Sequence, residues 1–278
     1  MERVIRIKKG KYTVRSENGE ERECFAKGNL KIKSDGIVTG DFVNCENGVI
    51  VSVLPRKNKL SRPLVSNVDA VAIIVADPPA PDFRLVDKLL ATCAAADVGA
   101  AIVANKTDLT DENHKNILSQ YSRVTRIFPL SALNGDGTRD FFEWIQGKTV
   151  AFTGQSAVGK TTLMNALFGK NSKTGELSEK TRRGKQTTTA AEIVCEKGAE
   201  VIDTPGFTAF DLTLTPEKLK TGYTEIAEVA ENCRFSDCSH IDEPDCAVKA
   251  AVKSGEINKS RYERYVEIYK ELKNGKKY

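Results

Sequence analysis

The sequence predicts a multidomain chain: a small N-terminal β-barrel, a central α/β domain on a parallel sheet, and a mainly helical C-terminal module. Three observations predict it. Short strand-like runs separated by turn residues fill the first 63 residues, buried apolar runs then alternate with amphipathic stretches, and the end is helical around clustered cysteines. The 278 residues suffice for roughly two domains of about 100–200 residues each. A hydrophobic share of 40% is that of a globular protein. No apolar run approaches the roughly 20 residues a spanning helix needs. The start, Met1-Glu2-Arg3-Val4, lacks the apolar stretch of a signal peptide. A soluble, cytoplasmic protein with no membrane partner is expected.

In the first part, residues 1–63, strand-like runs include Lys11–Arg15, Glu23–Ala26 and Val49–Leu54, with Gly40-Asp41 and Asn47-Gly48 as turns. Strands of this length and spacing suit an OB-like β-barrel. Residues 1–63 carry 14 Lys and Arg against 8 Asp and Glu. That excess suits a polyanionic partner, although a solvated charged surface is the plainer alternative. The basic connector from Pro55 to Pro63 is either a solvated linker or part of an RNA-facing patch.

From residue 64 to 222 the pattern becomes α/β. Ala70–Val75 is a continuous apolar run, as in a strand buried on both faces. The amphipathic stretch Asp82–Ala96 precedes a second such strand, Gly99–Ala104, and strands also precede Ser131, Gly154 and Asp203. Loops at the carboxyl ends of parallel strands are where ligands bind.

Those loops carry the chemistry. Gly154-Gln155-Ser156-Ala157-Val158-Gly159-Lys160-Thr161 is a P-loop, GxxxxGK[ST], between the strand Thr149–Phe152 and a helix running on from Thr162. Its backbone N–H groups and the helix N-terminus converge on phosphate, Lys160 reaches the outer phosphates, and the Thr161 hydroxyl suits Mg²⁺. Asn105-Lys106-Thr107-Asp108 reads NKxD. Asp108 accepts from guanine N1–H and the exocyclic amine, which adenine cannot match, so GTP is expected over ATP. Ser131-Ala132 matches the SAx element that approaches guanine O6. Asp203-Thr204-Pro205-Gly206 fits DxxG, with Asp203 on Mg²⁺ and the Gly206 amide sensing the γ-phosphate.

The order of these parts is unusual. A GTPase ordinarily runs P-loop, switch I, DxxG, NKxD, SAx; here NKxD and SAx come first. The sequence therefore predicts a circularly permuted P-loop GTPase domain. Switch I is expected between Asn171 and Thr189, with Thr188 the first choice for Mg²⁺. Phe207 stands where a water-orienting glutamine often follows DxxG, and Gln186 is the candidate for that role.

In residues 223–278, Tyr262, Tyr265, Val266, Tyr269 and Leu272 fall at helical spacing and read as core packing. Cys233, Cys238, His240 and Cys246 offer three thiolates and an imidazole, a set suited to one closed, structural Zn²⁺. A short segment with little core of its own would draw much of its folding energy from the metal. Cys24, Cys45, Cys93 and Cys195 are expected to be reduced and buried.

The permuted order, the barrel, and the segment Asn232-Cys233-Arg234-Phe235, Cys238-Ser239-His240, Glu243-Pro244, Cys246-Ala247-Val248-Lys249 together resemble the small ribosomal subunit biogenesis GTPase A family of bacteria. The linker residues Arg56, Asn58, Leu60, Arg62, Pro63 and Asn67-Val68-Asp69 match as well. The resemblance covers essentially the whole chain. It implies GTP hydrolysis to GDP stimulated by the 30S subunit, a role in late maturation of that subunit, and contact of barrel and zinc module with 16S rRNA. A monomer is expected. The alternative is a nucleotide-gated rRNA-binding assembly factor in which hydrolysis is incidental. Two positions depart from the family: Ala157 replaces its usual P-loop glycine, and Gly184-Lys185-Gln186-Thr187-Thr188 replaces Gly-Arg-His-Thr-Thr, whose histidine is a proposed catalytic residue.

Overall fold

Five short strands close the N-terminal barrel: β1 (Glu2–Lys8), β2 (Lys11–Ser16), β3 (Glu21–Ala26), β4 (Phe42–Glu46) and β5 (Val49–Val53). Their order is β1-β2-β3-β5-β4, with β4 returning to β1 and β3 pairing parallel with β5, the arrangement of an OB-type barrel. Alternation along the strands sends Val4, Tyr12, Val14, Cys24, Val43 and Ile50 inside. The computed structural model describes residues 1–28, 36–61, 64–109, 112–169, 191–203 and 214–275.

The connector after the barrel is structural. Arg56 grips the buried Asp41 carboxylate with two bonds of 2.7 and 2.8 Å, and the Ser66 hydroxyl donates to the same carboxylate at 2.6 Å. A bidentate pair of this kind holds an orientation as well as a distance. A small hairpin, β6 (Lys59–Ser61) and β7 (Leu64–Ser66), then leads into the central sheet.

That sheet contains β8 (Ala70–Val75), β9 (Gly99–Ala104), β10 (Arg126–Pro129), β11 (Thr149–Thr153), β12 (Glu192–Glu196) and β13 (Ala199–Asp203). The order is β10-β9-β8-β11-β13-β12, with every neighbouring pair parallel except β12 with β13. Helices α1 (Phe83–Ala95) and α2 (Glu112–Tyr121) pack on one face, while α3 (Thr138–Ile145) and α4 (Lys160–Phe168) cover the other. Two-sided burial accounts for the unbroken apolar run of β8 and for the apolar centre of β11 between its terminal threonines. The barrel shelters the edge strand β12 through Arg6 to Glu192 at 3.2 Å and Arg15 to the Cys195 carbonyl at 3.3 Å.

Helix α5 (Pro216–Gly222), at the end of the central stretch, packs into the core of the C-terminal module, which is formed by α6 (Thr224–Ala230), α7 (Ala247–Ser254) and α8 (Lys259–Lys273). The module has a core of its own, which corrects the expectation above. Leu219, Tyr223, Ile226, Val248, Ile257, Tyr265 and Ile268 cluster with Cys238 and Cys246, and the stripe Tyr262, Val266, Tyr269 and Leu272 packs on them. Ala91 of α1 joins the cluster, and α5 lies so close to α1 that a Cβ on Gly222 would sit 2.4 Å from the Ala91 carbonyl oxygen. All seven cysteines are free thiols. Cys24 and Cys93 are buried as expected, whereas Cys45, which follows a register shift in β4, and Cys195, on the edge strand β12, are only half-buried. No helix among the described residues is long and apolar enough to cross a membrane.

Both flanking parts are anchored to the central domain by a buried arginine. Arg3 of β1 donates to Thr149 Oγ1 at 2.6 Å and to the Asn67 carbonyl at 3.0 Å, and pairs with Glu200. On the other side, Asp87 of α1 is fully buried and receives Arg261 at 2.5 Å, Tyr121 at 2.8 Å and Arg264. Arg261 also bonds Glu225 at 2.6 Å and lies between the Tyr121 and Tyr223 rings. Burial pushes the Asp87 carboxyl upward, and the two guanidiniums oppose that shift. Two carboxylates face two guanidiniums, so the group is charge-balanced.

Removing Asp87 would leave the buried Arg261 and the half-buried Arg264 without their shared acceptor. Asp87→Ala is expected to lower unfolding stability by about 3–5 kcal/mol, whereas removal of the exposed Arg139–Glu143 pair leaves it nearly unchanged. Urea denaturation of the two variants checks the contrast.

Candidate nucleotide site and metal centre

Because β9, β10, β11 and β13 are parallel members of one sheet, their carboxyl ends share one rim. In spatial order that rim carries Ser131-Ala132 after β10, Asn105 to Asp108 after β9, the P-loop after β11, and Asp203 at the end of β13. The order reverses between β8 and β11, whose following segments run to opposite faces of the sheet, and such a crevice is where ligands bind in this class of fold.

The P-loop backbone is set by close packing. Gly154 has φ of 141°, and a Cβ there would lie 2.2 Å from the Ile74 carbonyl oxygen, so the loop leaves β11 too near β8 for a side chain. Val158 is buried and Ser156 exposed, while Thr161 and Thr162 sit in the first turn of α4. Lys160 Nζ donates to the carbonyls of Gly154 and Gln155 at 2.7 and 2.6 Å, which holds the ammonium over the loop. Ala157 has φ of 64°, a left-handed conformation that a glycine would adopt without the cost a Cβ brings.

Asn105 ties the guanine motif to the phosphate loop. Its Nδ2 donates to the Val158 carbonyl at 2.8 Å, and its Oδ1 accepts from the Ala132 amide at 3.0 Å. One side chain thus spans NKxD, SAx and P-loop. Lys106 Nζ bonds the carbonyls of Ala157 at 2.9 Å and Pro78 at 2.6 Å, laying its stem along this wall. Thr107 N–H donates to the Leu130 carbonyl at 3.2 Å. Ser131 Oγ donates to Asp108 Oδ1 at 2.5 Å and steers that carboxylate.

One part of this wall is not legible as a motif. The segment 78–82 contacts Lys106 through Pro78. It also bonds the Gln155 side chain twice, from Asp82 N–H at 2.9 Å and to the Ala80 carbonyl at 3.3 Å. The Gln155 side chain is therefore engaged with the wall, leaving its backbone amide for phosphate. Gln186, Thr188, Gly206 and Phe207 lie outside the described residues, as does the Asp203 side chain.

The cysteine cluster converges as its spacing predicts. The ligand atoms of Cys233, Cys238, His240 and Cys246 all lie within 4.8 Å of one another. His240 Nδ1 is 3.5 Å from Cys233 Sγ and 3.6 Å from Cys246 Sγ, and those two sulfurs are 3.9 Å apart. Ordinary Zn–S and Zn–N bonds in a tetrahedron place such atoms about 3.6–3.8 Å apart, so the residues fit a zinc ion. Against burial, which raises it, the backbone amides of Val248 and Ala247 at the start of α7 draw the Cys233 thiol down. Glu243 feels the same opposition, with bonds from Ser239 and Ile241 holding its carboxyl down to about 2. No sequence motif marks Glu243, Tyr262 and Tyr265 as site residues; a glutamate three places after the histidine is the one local signal.

Comparison with known proteins agrees with this geometry. Residues 53–213 match the family described as RsgA GTPase. The small ribosomal subunit biogenesis GTPase RsgA of Caldanaerobacter subterraneus subsp. tengcongensis is 37% identical, over 99% of this chain and 96% of its own. That of Thermotoga maritima is 38% identical, over 92% and 90%. Among solved structures, YjeQ from Thermotoga maritima superposes with a TM-score of 0.85 at 34% identity, covering 99% of each chain. YloQ, a circularly permuted GTPase, gives 0.81 at 27%, covering all of this chain and 96% of the other. By its permuted sheet, its motifs and its relatives, the chain belongs to the RsgA GTPase family and is a GTP hydrolase.

Proposed function

We propose that this GTPase acts in late maturation of the small ribosomal subunit, hydrolysing GTP to GDP and phosphate under stimulation by the 30S particle. The observation that carries the reading is Asn105, which joins the guanine motif, SAx and P-loop into one pocket despite their permuted order. The names of the relatives, small ribosomal subunit biogenesis GTPase, supply the biological setting. Functional modules are assigned to residues 1–63, 64–222 and 223–278, the outer two contacting 16S rRNA. A cytoplasmic monomer suits a protein that visits an assembling particle.

In the pocket, Asp108, oriented by Ser131, selects guanine, and Lys106 covers the base. Lys160 transfers its ammonium from the loop carbonyls to the outer phosphates, and the amides of 154–162 cradle them. Thr161, Thr188 and Asp203 would hold Mg²⁺, which neutralises phosphate charge when bound. The Gly206 amide reads the γ-phosphate, and Gln186 orients the attacking water. Cys233, Cys238, His240 and Cys246 would hold one structural Zn²⁺ per chain, cross-linking the loop that joins α6 to α7. DxxG lies just upstream of α5, which packs on α1 and leads into the zinc module, so a nucleotide signal has a short path to that module.

Glutamine at position 186, where the family has a proposed catalytic histidine, favours a second reading: nucleotide-gated rRNA binding with incidental hydrolysis. Turnover with and without 30S subunits separates the two. The enzymatic reading predicts stimulation of at least about 100-fold, with Gln186→Ala losing most of it at unchanged GTP affinity. Absence of stimulation supports the binding factor instead.

Asp108→Asn should weaken guanine nucleotide binding by on the order of 100-fold or more and shift preference toward xanthosine nucleotides, read by fluorescent nucleotide titration. Metal analysis should find one zinc per chain. Its removal should lower the thermal midpoint yet keep most helical signal, because α5 to α8 share a core; collapse of the helical signal would overturn that view.

A further inference from the structure

Three consecutive peptide units in the ligand loop, from 238–239 to 240–241, are held by residues outside the ligand set, the last of them from both sides. The Glu243 carboxylate accepts from Ser239 N–H at 2.7 Å and Ser239 Oγ at 2.6 Å with one oxygen, and from Ile241 N–H at 3.0 Å with the other. From α8, Tyr265 donates to the Ser239 carbonyl at 3.0 Å and Tyr262 to the His240 carbonyl at 2.7 Å. The amides that bracket His240 and the carbonyls of residues 239 and 240 are therefore all engaged.

His240 sits between these contacts at φ of 66°, a left-handed conformation disfavoured for a residue with a Cβ. In that conformation its ring is buried and Nδ1 faces the sulfurs of Cys233 and Cys246. Left to local preference, the 239–241 turn would relax and swing the imidazole away. Three donors also occupy the Glu243 oxygens, which keeps that carboxylate from competing as a ligand.

We propose that Glu243 is the positioning residue of the metal centre, fixing the 239–241 turn so that His240 presents Nδ1 to the cysteines, with Tyr262 and Tyr265 bracing the opposite side. The proposal rests on reading the four residues as metal ligands. It goes further in assigning the geometry of the site to a carboxylate that never touches the metal. The two-oxygen grip sets an order among variants: glutamine retains one acceptor oxygen and alanine none.

The test uses the full-length chain loaded with Zn²⁺ or Co²⁺. Metal retention is read by chelator competition, and the coordination sphere by the Co²⁺ ligand-field spectrum. Glu243→Ala should lower metal affinity by about 10–100-fold and perturb the Co²⁺ bands, with GTP binding unchanged and Glu243→Gln falling in between. Tyr265→Phe, which keeps the core ring and deletes one hydroxyl, should give a smaller loss in the same direction; it and Glu243→Gln decide the matter if the alanine variant does not fold. Affinity within about two-fold of wild type together with an unaltered spectrum in these variants would overturn the proposal. A wild-type chain that takes up neither metal would instead overturn the reading of the site itself.

Discussion

The parallel pairing of β8 with β11 is the constraint on which the site depends. Val150 to Thr153 register against Ala70 to Ile73, far away in the chain, and bring the P-loop strand into the middle of the sheet. The guanine motif arrives through β9 on the far side of β8. Since the strands that carry them all run parallel, the motifs meet at one rim whatever their order along the chain. The backbone carbonyl of Ile74 then leaves no room for a Cβ at residue 154, so the same pairing dictates the glycine with which the phosphate loop begins. Permutation is tolerated because a pocket built from strand ends is indifferent to how the strands are joined.

Joining matters for what surrounds the pocket. Arg3 bonds Thr149 and Glu200, at the starts of the strands that end in the P-loop and DxxG, so the barrel is seated at the opposite end of those strands. Asp87 holds α8 to α1, whose N-terminus meets the P-loop residue Gln155 through Asp82. Buried ion pairs add little net stability compared with apolar packing, but breaking one is costly, so they specify one arrangement over others. Both outer modules are thereby held in fixed orientation to the nucleotide pocket.

The C-terminal module combines two kinds of restraint. Its core of tyrosine and aliphatic side chains packs against α1, while the ligand loop, whose Cys238 and Cys246 join that core, is ordered by Glu243 and the α8 tyrosines. The stripe of tyrosines read as packing therefore does more. Its rings fill the core, and its hydroxyls reach the backbone of the ligand loop.

How much was legible follows from the range of each interaction. The P-loop, NKxD and the Cys-His spacing were readable because strand–turn–helix geometry and tetrahedral coordination each demand particular residues within a short stretch. The apolar runs of β8 and β9 were readable because burial on both faces leaves no polar position. Arg3, Asp87, Arg261 and Glu243 were not, since a charged residue looks the same in sequence whether solvated or buried. The composition around Arg56 suits a linker and an RNA-facing patch alike, and its bond to Asp41 depends on a partner 15 residues away. By itself the sequence determined the identity of the motifs, the permuted order and the donor set of the metal site. Only the tertiary structure decided which charges are buried together and how each module is oriented, because those depend on partners brought close by the packing of distant segments.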